Sequence, residues 1–140
     1  PYGMLVFDVE LIKVAEVRLP PPTPPNVASP PPEARKTATG LRYIVLDEGK
    51  GGRTPTARSV VTVHYTGWTT DGKCFDSSIP RGAPSSFPLN RVIPGWTEGL
   101  QLMSKDSRFR FWIPKELAYN NMRGRPQGTL VFDVELLNFR

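Results

Sequence analysis

Few side chains in this sequence could make or break a bond. It holds one histidine, His64, and one cysteine, Cys74. One of each gives no internal disulfide and no zinc-ligand spacing, so no metal is expected; no cofactor is expected either. No Ser or Cys sits on the strand–turn–helix pattern of a nucleophile elbow. Gly49 to Gly52 (GKGG) lacks the spacing and the Ser or Thr of a phosphate-binding loop and reads as a flexible turn. By alternation, His64 falls on the polar side of its strand, opposite the face of Tyr65. It is expected to meet solvent or a local hydrogen-bond partner. Cys74 alternates with Phe75 and is expected to be an inert or oxidisable surface thiol, turned away from any pocket.

What converges instead is aromatic. Tyr65, Phe75, Trp96, Tyr119 and Phe132, with Val92 and Ile93, come from four separate elements, and Asp76 follows Phe75 directly. Such a set can exclude water from a ligand and present one carboxylate to it. It can equally be ordinary core, and the residues alone leave both readings open.

The elements that must position these groups are legible from local pattern. Val61, Val63 and Tyr65 alternate with Thr62, His64 and Thr66, the period of a strand with one buried face. Asp71-Gly72 is a two-residue turn signal, because glycine accepts a positive φ without steric cost. Lys73 to Asp76 then returns as a second strand, and the hairpin sets Tyr65, Phe75 and Asp76 near one another. Leu41 to Asp47, Phe87 to Leu89 and Ser107 to Ile113 read as further strands. In the last of these Phe109, Phe111 and Ile113 lie opposite Arg108, Arg110 and Trp112. Pro94 holds Ile93 extended and suits the first turn of a helix. Trp96, Leu100 and Met103 then form one apolar stripe at i, i+4, i+7. Pro114 to Ala118 allows a single helical turn leading to Tyr119. Leu130, Phe132, Val134 and Leu136 share a face of the closing strand. Several strands and one substantial helix predict an α+β fold with an antiparallel sheet.

At 140 residues the chain has room for one domain with a real core, plus appendages. Its net charge of +5 permits an acidic partner. The basic residues are scattered, apart from Arg108, Arg110, Arg123 and Arg125, so no nucleic-acid partner is expected. No apolar run approaches the ~20 residues of a membrane span, and no membrane association is expected.

Gly3 to Val14 (GMLVFDVELIKV) nearly repeats the closing segment Gly128 to Phe139 (GTLVFDVELLNF). A repeat one domain length apart indicates tandem domains. Residues 1–18 are accordingly expected to be the closing strand of a preceding repeat, within a protein longer than this chain. Residues 19–36 are a Pro-rich linker, a semi-rigid polyproline II spacer from about Leu19 to Pro32. Residues 37–140 are the domain proper. An orphan strand of this kind is a template for pairing, so 3–14 is expected to mediate self-association.

Taken together, VVTVHYTGWTTDGKCFDSS (Val60 to Ser78), FPLNRVIPGWTEGLQLM (Phe87 to Met103) and GTLVFDVELL (Gly128 to Leu137) resemble the FKBP-type peptidyl-prolyl cis–trans isomerases, the macrolide-binding immunophilins. The resemblance runs from Thr39 to Phe139. It implies a strongly bent sheet of about five strands wrapped on a short helix, and an enzyme acting on proline-containing polypeptides, with macrolides as inhibitors. It implies a shallow apolar cleft of Tyr65, Phe75, Asp76, Val92, Ile93, Trp96, Tyr119 and Phe132, with the tryptophan as floor. Arg81 and Phe87 would lie on the substrate-binding rim, with Asp76 in reach of the Tyr65 hydroxyl and Arg81. The Ile93 N–H and Tyr119 hydroxyl would hold substrate carbonyls. A chaperone-like module that binds proline segments with little catalysis is the alternative. Two departures from the family pattern, Ser85 where an aromatic is common and a short polar 120–127 loop with Asn120 in a glycine position, predict a more open cleft.

Overall fold

The computed structural model describes residues 19–119 and 122–140. The repeated segment 3–14 therefore lies outside the described residues. Among the described residues, seven strands form one antiparallel sheet: β1 (Arg35–Lys36), β2 (Arg42–Asp47), β3 (Val60–Thr69), β4 (Cys74–Ser77), β5 (Ser85–Pro88), β6 (Arg108–Ile113) and β7 (Leu130–Phe139). Their order is β1-β2-β6-β7-β3-β4, with β5 also paired to β3. β4 and β5 share one edge of the long β3: residues 60–63 pair with β5 and 66–68 with β4. Apart from the two-residue β1, the sheet is thus five positions wide. Main-chain bonds between Val60 and Arg140 close the far end of the β3–β7 ladder.

One helix, α1 (Pro94–Leu100), lies on the concave face. Ile93 caps it in an extended conformation, φ −59° and ψ 149°, as the residue before a proline must. Gly99 lets the helix sit close to the sheet, since a Cβ there would lie 2.7 Å from a Phe111 ring carbon. The helix ends at Leu100, earlier than the apolar stripe predicts, yet Met103 beyond it is fully buried. The core between helix and sheet holds Val61, Val63, Leu100, Phe111, Ile113, Leu130, Val134 and Leu136. The segment predicted as a strand at Phe87 to Leu89 is shifted: β5 ends at Pro88, and Leu89–Arg91 is a 3-10 turn. A second such turn, Lys115–Leu117, stands where one helical turn is predicted. Among the described residues no helix is long and apolar enough to cross a membrane.

The convex face departs from expectation. Trp112, placed by alternation with Arg108 and Arg110, is only 1% exposed. It packs with Trp68, Val131 and Val27, flanked by Ile44 and Cys74. The cover comes from the Pro-rich segment, whose Pro24 and Val27 are buried. Asn26 accepts from Trp112 Nε1 through its carbonyl at 3.1 Å and from Arg110 Nη1 through its side chain at 3.1 Å. Thr23 Oγ1 donates to the Gly72 carbonyl at the β3–β4 turn, at 2.9 Å. Arg110 itself is held in a bidentate pair by Asp133, at 2.6 and 2.9 Å. The middle of the segment predicted as a spacer is therefore an outer layer of the domain. Cys74 is correspondingly half-buried against this layer, where a surface thiol is predicted, and burial raises its pKa.

Candidate active site

Between α1 and the rim of the sheet lies a cleft of about 330 Å³. Every side chain that the resemblance assigns to its walls is there: Tyr65 from β3, Phe75 and Asp76 from β4, Phe132 from β7, Trp96 from α1, Val92 and Ile93 from the turn entering α1, and Tyr119. Phe87 of β5 also lines it, whereas Arg81 stands behind Asp76 and Tyr65. Register explains the convergence. Gly67 of β3 faces Asp76 on one side and Phe132 on the other. Glycine is required at that point, because a Cβ would come within 2.7 Å of both the Phe75 and the Phe132 rings.

The rings meet edge to face. Trp96 contacts Tyr65, Phe87 and Phe132 at centroid distances of 5.2, 5.7 and 5.4 Å, with interplanar angles of 83°, 87° and 85°. Phe75 completes the row against Phe132 at 5.5 Å and 88°. Such pairs add to the burial of their area, because the positive edge of one ring meets the negative face of the next. Trp96 is 4% exposed, so it serves as a fixed floor.

The polar groups form a closed knot at one wall. Tyr65 Oη donates to Asp76 Oδ2 at 2.8 Å. Arg81 donates to Asp76 Oδ1 and to Tyr65 Oη at 3.2 and 3.0 Å, and to Ser85 Oγ at 3.2 Å. Ser85, which stands in a common aromatic position, is thus an acceptor for the rim arginine. The carboxylate beside the apolar walls has a full set of partners. Burial raises the Tyr65 pKa above 10.0; the Arg81 hydrogen bond opposes this and the Asp76 hydrogen bond adds to it. Across the cleft, the Ile93 N–H donates to no acceptor among the described residues. Its carbonyl accepts from the Trp96 and Thr97 amides at 2.9 and 3.1 Å, which fixes the turn.

His64 lies away from the cleft, its Nδ1 2.8 Å from Ser78 Oγ, in line with a local hydrogen-bond partner. No group of three or more His, Cys, Asp or Glu among the described residues is placed to hold a metal. Two lining residues escape a sequence reading: Arg91 and Arg125. Arg125 Cζ lies 5.4 Å from the Tyr119 ring centroid. The charge of each is visible in the sequence, but only the chain path over the cleft shows where that charge goes.

Comparison with known proteins gives one consistent result. Residues 51–137 match the family described as FKBP-type peptidyl-prolyl cis-trans isomerase. The FKBP-type peptidyl-prolyl cis-trans isomerase FkpA of Aeromonas hydrophila is 52% identical over 106 residues, 74% of this chain and 39% of that protein. The FKBP-type 22 kDa peptidyl-prolyl cis-trans isomerase of Escherichia coli is 49% identical over 106 residues, 72% of this chain and 50% of that protein. The crystal structure of FkpA from Escherichia coli superposes with a TM-score of 0.73 at 46% identity, covering 79% of this chain and 53% of that one. The chain spans between two-fifths and half of the length of these curated relatives. On this match, and with the bent sheet and aromatic cleft in place, the chain belongs to the FKBP-type peptidyl-prolyl cis-trans isomerase family.

Proposed function

We propose that the cleft accelerates rotation about X–Pro peptide bonds in polypeptide substrates. The observation that carries this is the buried Trp96 floor, walled by Phe75, Phe87, Phe132 and Tyr65, with an Ile93 N–H on its edge that finds no acceptor among the described residues. A peptide bond resists rotation by ~18–20 kcal/mol because its C–N bond has partial double-bond character, and uncatalysed X–Pro bonds exchange in about 10–100 s. Twisting the bond removes the resonance and much of the charge separation, so water stabilises the planar ground state selectively. A dry aromatic cleft withdraws that stabilisation. A shape that fits the twisted amide better than either planar form lowers the barrier further. The Ile93 N–H and the Tyr119 hydroxyl hold the flanking carbonyls. Asp76, neutralised by Arg81 and Tyr65, orders the wall without presenting a bare charge. The apolar walls favour apolar residues before the proline. A macrolide would compete for the same surface. Exchange of a short proline peptide, followed at micromolar protein, tests the proposal, and a rate no faster than background overturns it.

The short polar loop leading to β7, whose Arg123 and Arg125 are exposed, favours a second reading as a proline-segment binder. Peptide binding without acceleration would select it.

No step of this mechanism transfers a proton, so activity should be flat from about pH 6 to 9 and unaffected by His64→Gln. Tyr65 adds a pH dependence of stability, but only at alkaline pH. Its folded-state pKa is raised, so its proton-linked stability is complete below the unfolded value of 10.0 and is lost as pH rises through the folded one. The change belongs to the alkaline limb. A bell-shaped rate profile near neutrality, with the His64 variant inactive, would show that acid–base chemistry is involved.

For the longer protein we propose tandem repeats, with 1–18 as the closing strand of a preceding one and 19–36 as a connection whose middle packs on this domain, 37–140. Residues 3–14 should pair with a second copy. Sedimentation of the chain beside one starting at Leu19 should give a larger species for the longer form. Two monomers would remove the pairing.

A further inference from the structure

Arg91 and Arg125 face the cleft and are exposed. Arg91 ends the 3-10 turn that runs directly into Val92 and Ile93. Arg125 is steadied over the Tyr119 ring. Neither lies within ion-pair distance of a carboxylate among the described residues. The third rim guanidinium, Arg81, is already committed to Asp76. Asp76 is the one carboxylate among the described residues lining the cleft. Its charge is offset by Arg81, and two positive charges are left over at the mouth. The chain's net charge of +5 acts in the same direction on an approaching substrate.

We infer that Arg91 and Arg125 are specificity residues, and that they direct the cleft to X–Pro bonds flanked by Asp or Glu. This inference rests on the isomerase reading above. The aromatic walls take the proline and the apolar residue before it, so the acidic side chain belongs outside that pair. A guanidinium presents a planar fork of donors that fits a carboxylate, and stacking on Tyr119 leaves Arg125 less freedom to lose. Both groups are solvent-exposed, so each contact is screened and contributes a few-fold at most.

The test uses the full chain and three peptides with leucine before proline and Glu, Gln or Lys immediately before the leucine. Exchange is followed by NMR, which needs no coupled protease. At about 20 mM salt kcat/KM should fall in the order Glu, Gln, Lys, with Glu over Lys by roughly fivefold. The ratio should collapse towards one at about 1 M salt, where the screening length is about 3 Å. Arg91→Gln and Arg125→Gln should each reduce the ratio, and the double variant should abolish it. Equal rates for all three peptides at low salt would overturn the inference and leave the isomerase standing. A ratio that survives in the double variant would also overturn it, since the charge read would lie elsewhere. If the Gln peptide is not accelerated, the isomerase reading fails by itself. Peptide Kd values on the same set then decide the charge preference, and values equal for Glu and Lys overturn it.

Discussion

Replacing Trp96 by alanine should lower the unfolding free energy by about 3–5 kcal/mol, the usual cost of an aromatic truncated in a core. The ring is 4% exposed and meets three other rings edge to face, so the hole could not close without moving β3, β5 and β7 together. With domains of this size stable by about 5–15 kcal/mol, the variant should be marginal. Trp96→Phe should recover most of the loss. It keeps a ring on the floor and deletes an indole N–H that finds no acceptor among the described residues. Urea unfolding of the three forms checks this. A loss below about 1 kcal/mol for the alanine variant would mean that the floor is not part of the core.

The second large effect concerns rate. Phe132→Ala should reduce kcat/KM by roughly 10–100-fold, the equivalent of removing about 1.5–3 kcal/mol of apolar contact from the reacting bond's surroundings. Phe132 bridges the floor and the Phe75 wall, so its loss opens the cleft to water at the point where dryness matters. The substitution also weakens the core, and the assay belongs at a temperature where circular dichroism shows the variant folded. Phe132→Leu, which keeps bulk and loses the ring, should fall between. An unchanged rate in a folded Phe132→Ala variant would remove desolvation from the mechanism.

Much of the fold is legible in the sequence, for a physical reason. Val61, Val63 and Tyr65 alternate because only one side of their half of β3 is packed, and Ile93-Pro94 marks the helix start because proline restricts its predecessor. The pattern fails where both faces of the sheet are covered. Trp68, Trp112 and Val131 stand on the face that alternation assigns to solvent, and three large apolar residues there were a signal that something sits on them. Its source, a lone Val27 among prolines, is invisible to periodicity. The cleft aromatics came through a family resemblance and not through spacing. Arg91 and Arg125 carry no local mark at all, since a charge on a loop acquires its place only from the path of the chain.

The docking of Thr23, Asn26 and Val27 on the convex face also sets a leash length. A group attached ahead of Leu19 is tied at the β3–β4 turn and not at β1. The stretch between Thr23 and Thr37, about 14 residues or roughly 40 Å at ~3.1 Å per extended residue, is withdrawn from its reach. Effective concentration falls roughly as the −3/2 power of tether length. A shorter leash would hold any group attached there and this cleft at a higher mutual concentration.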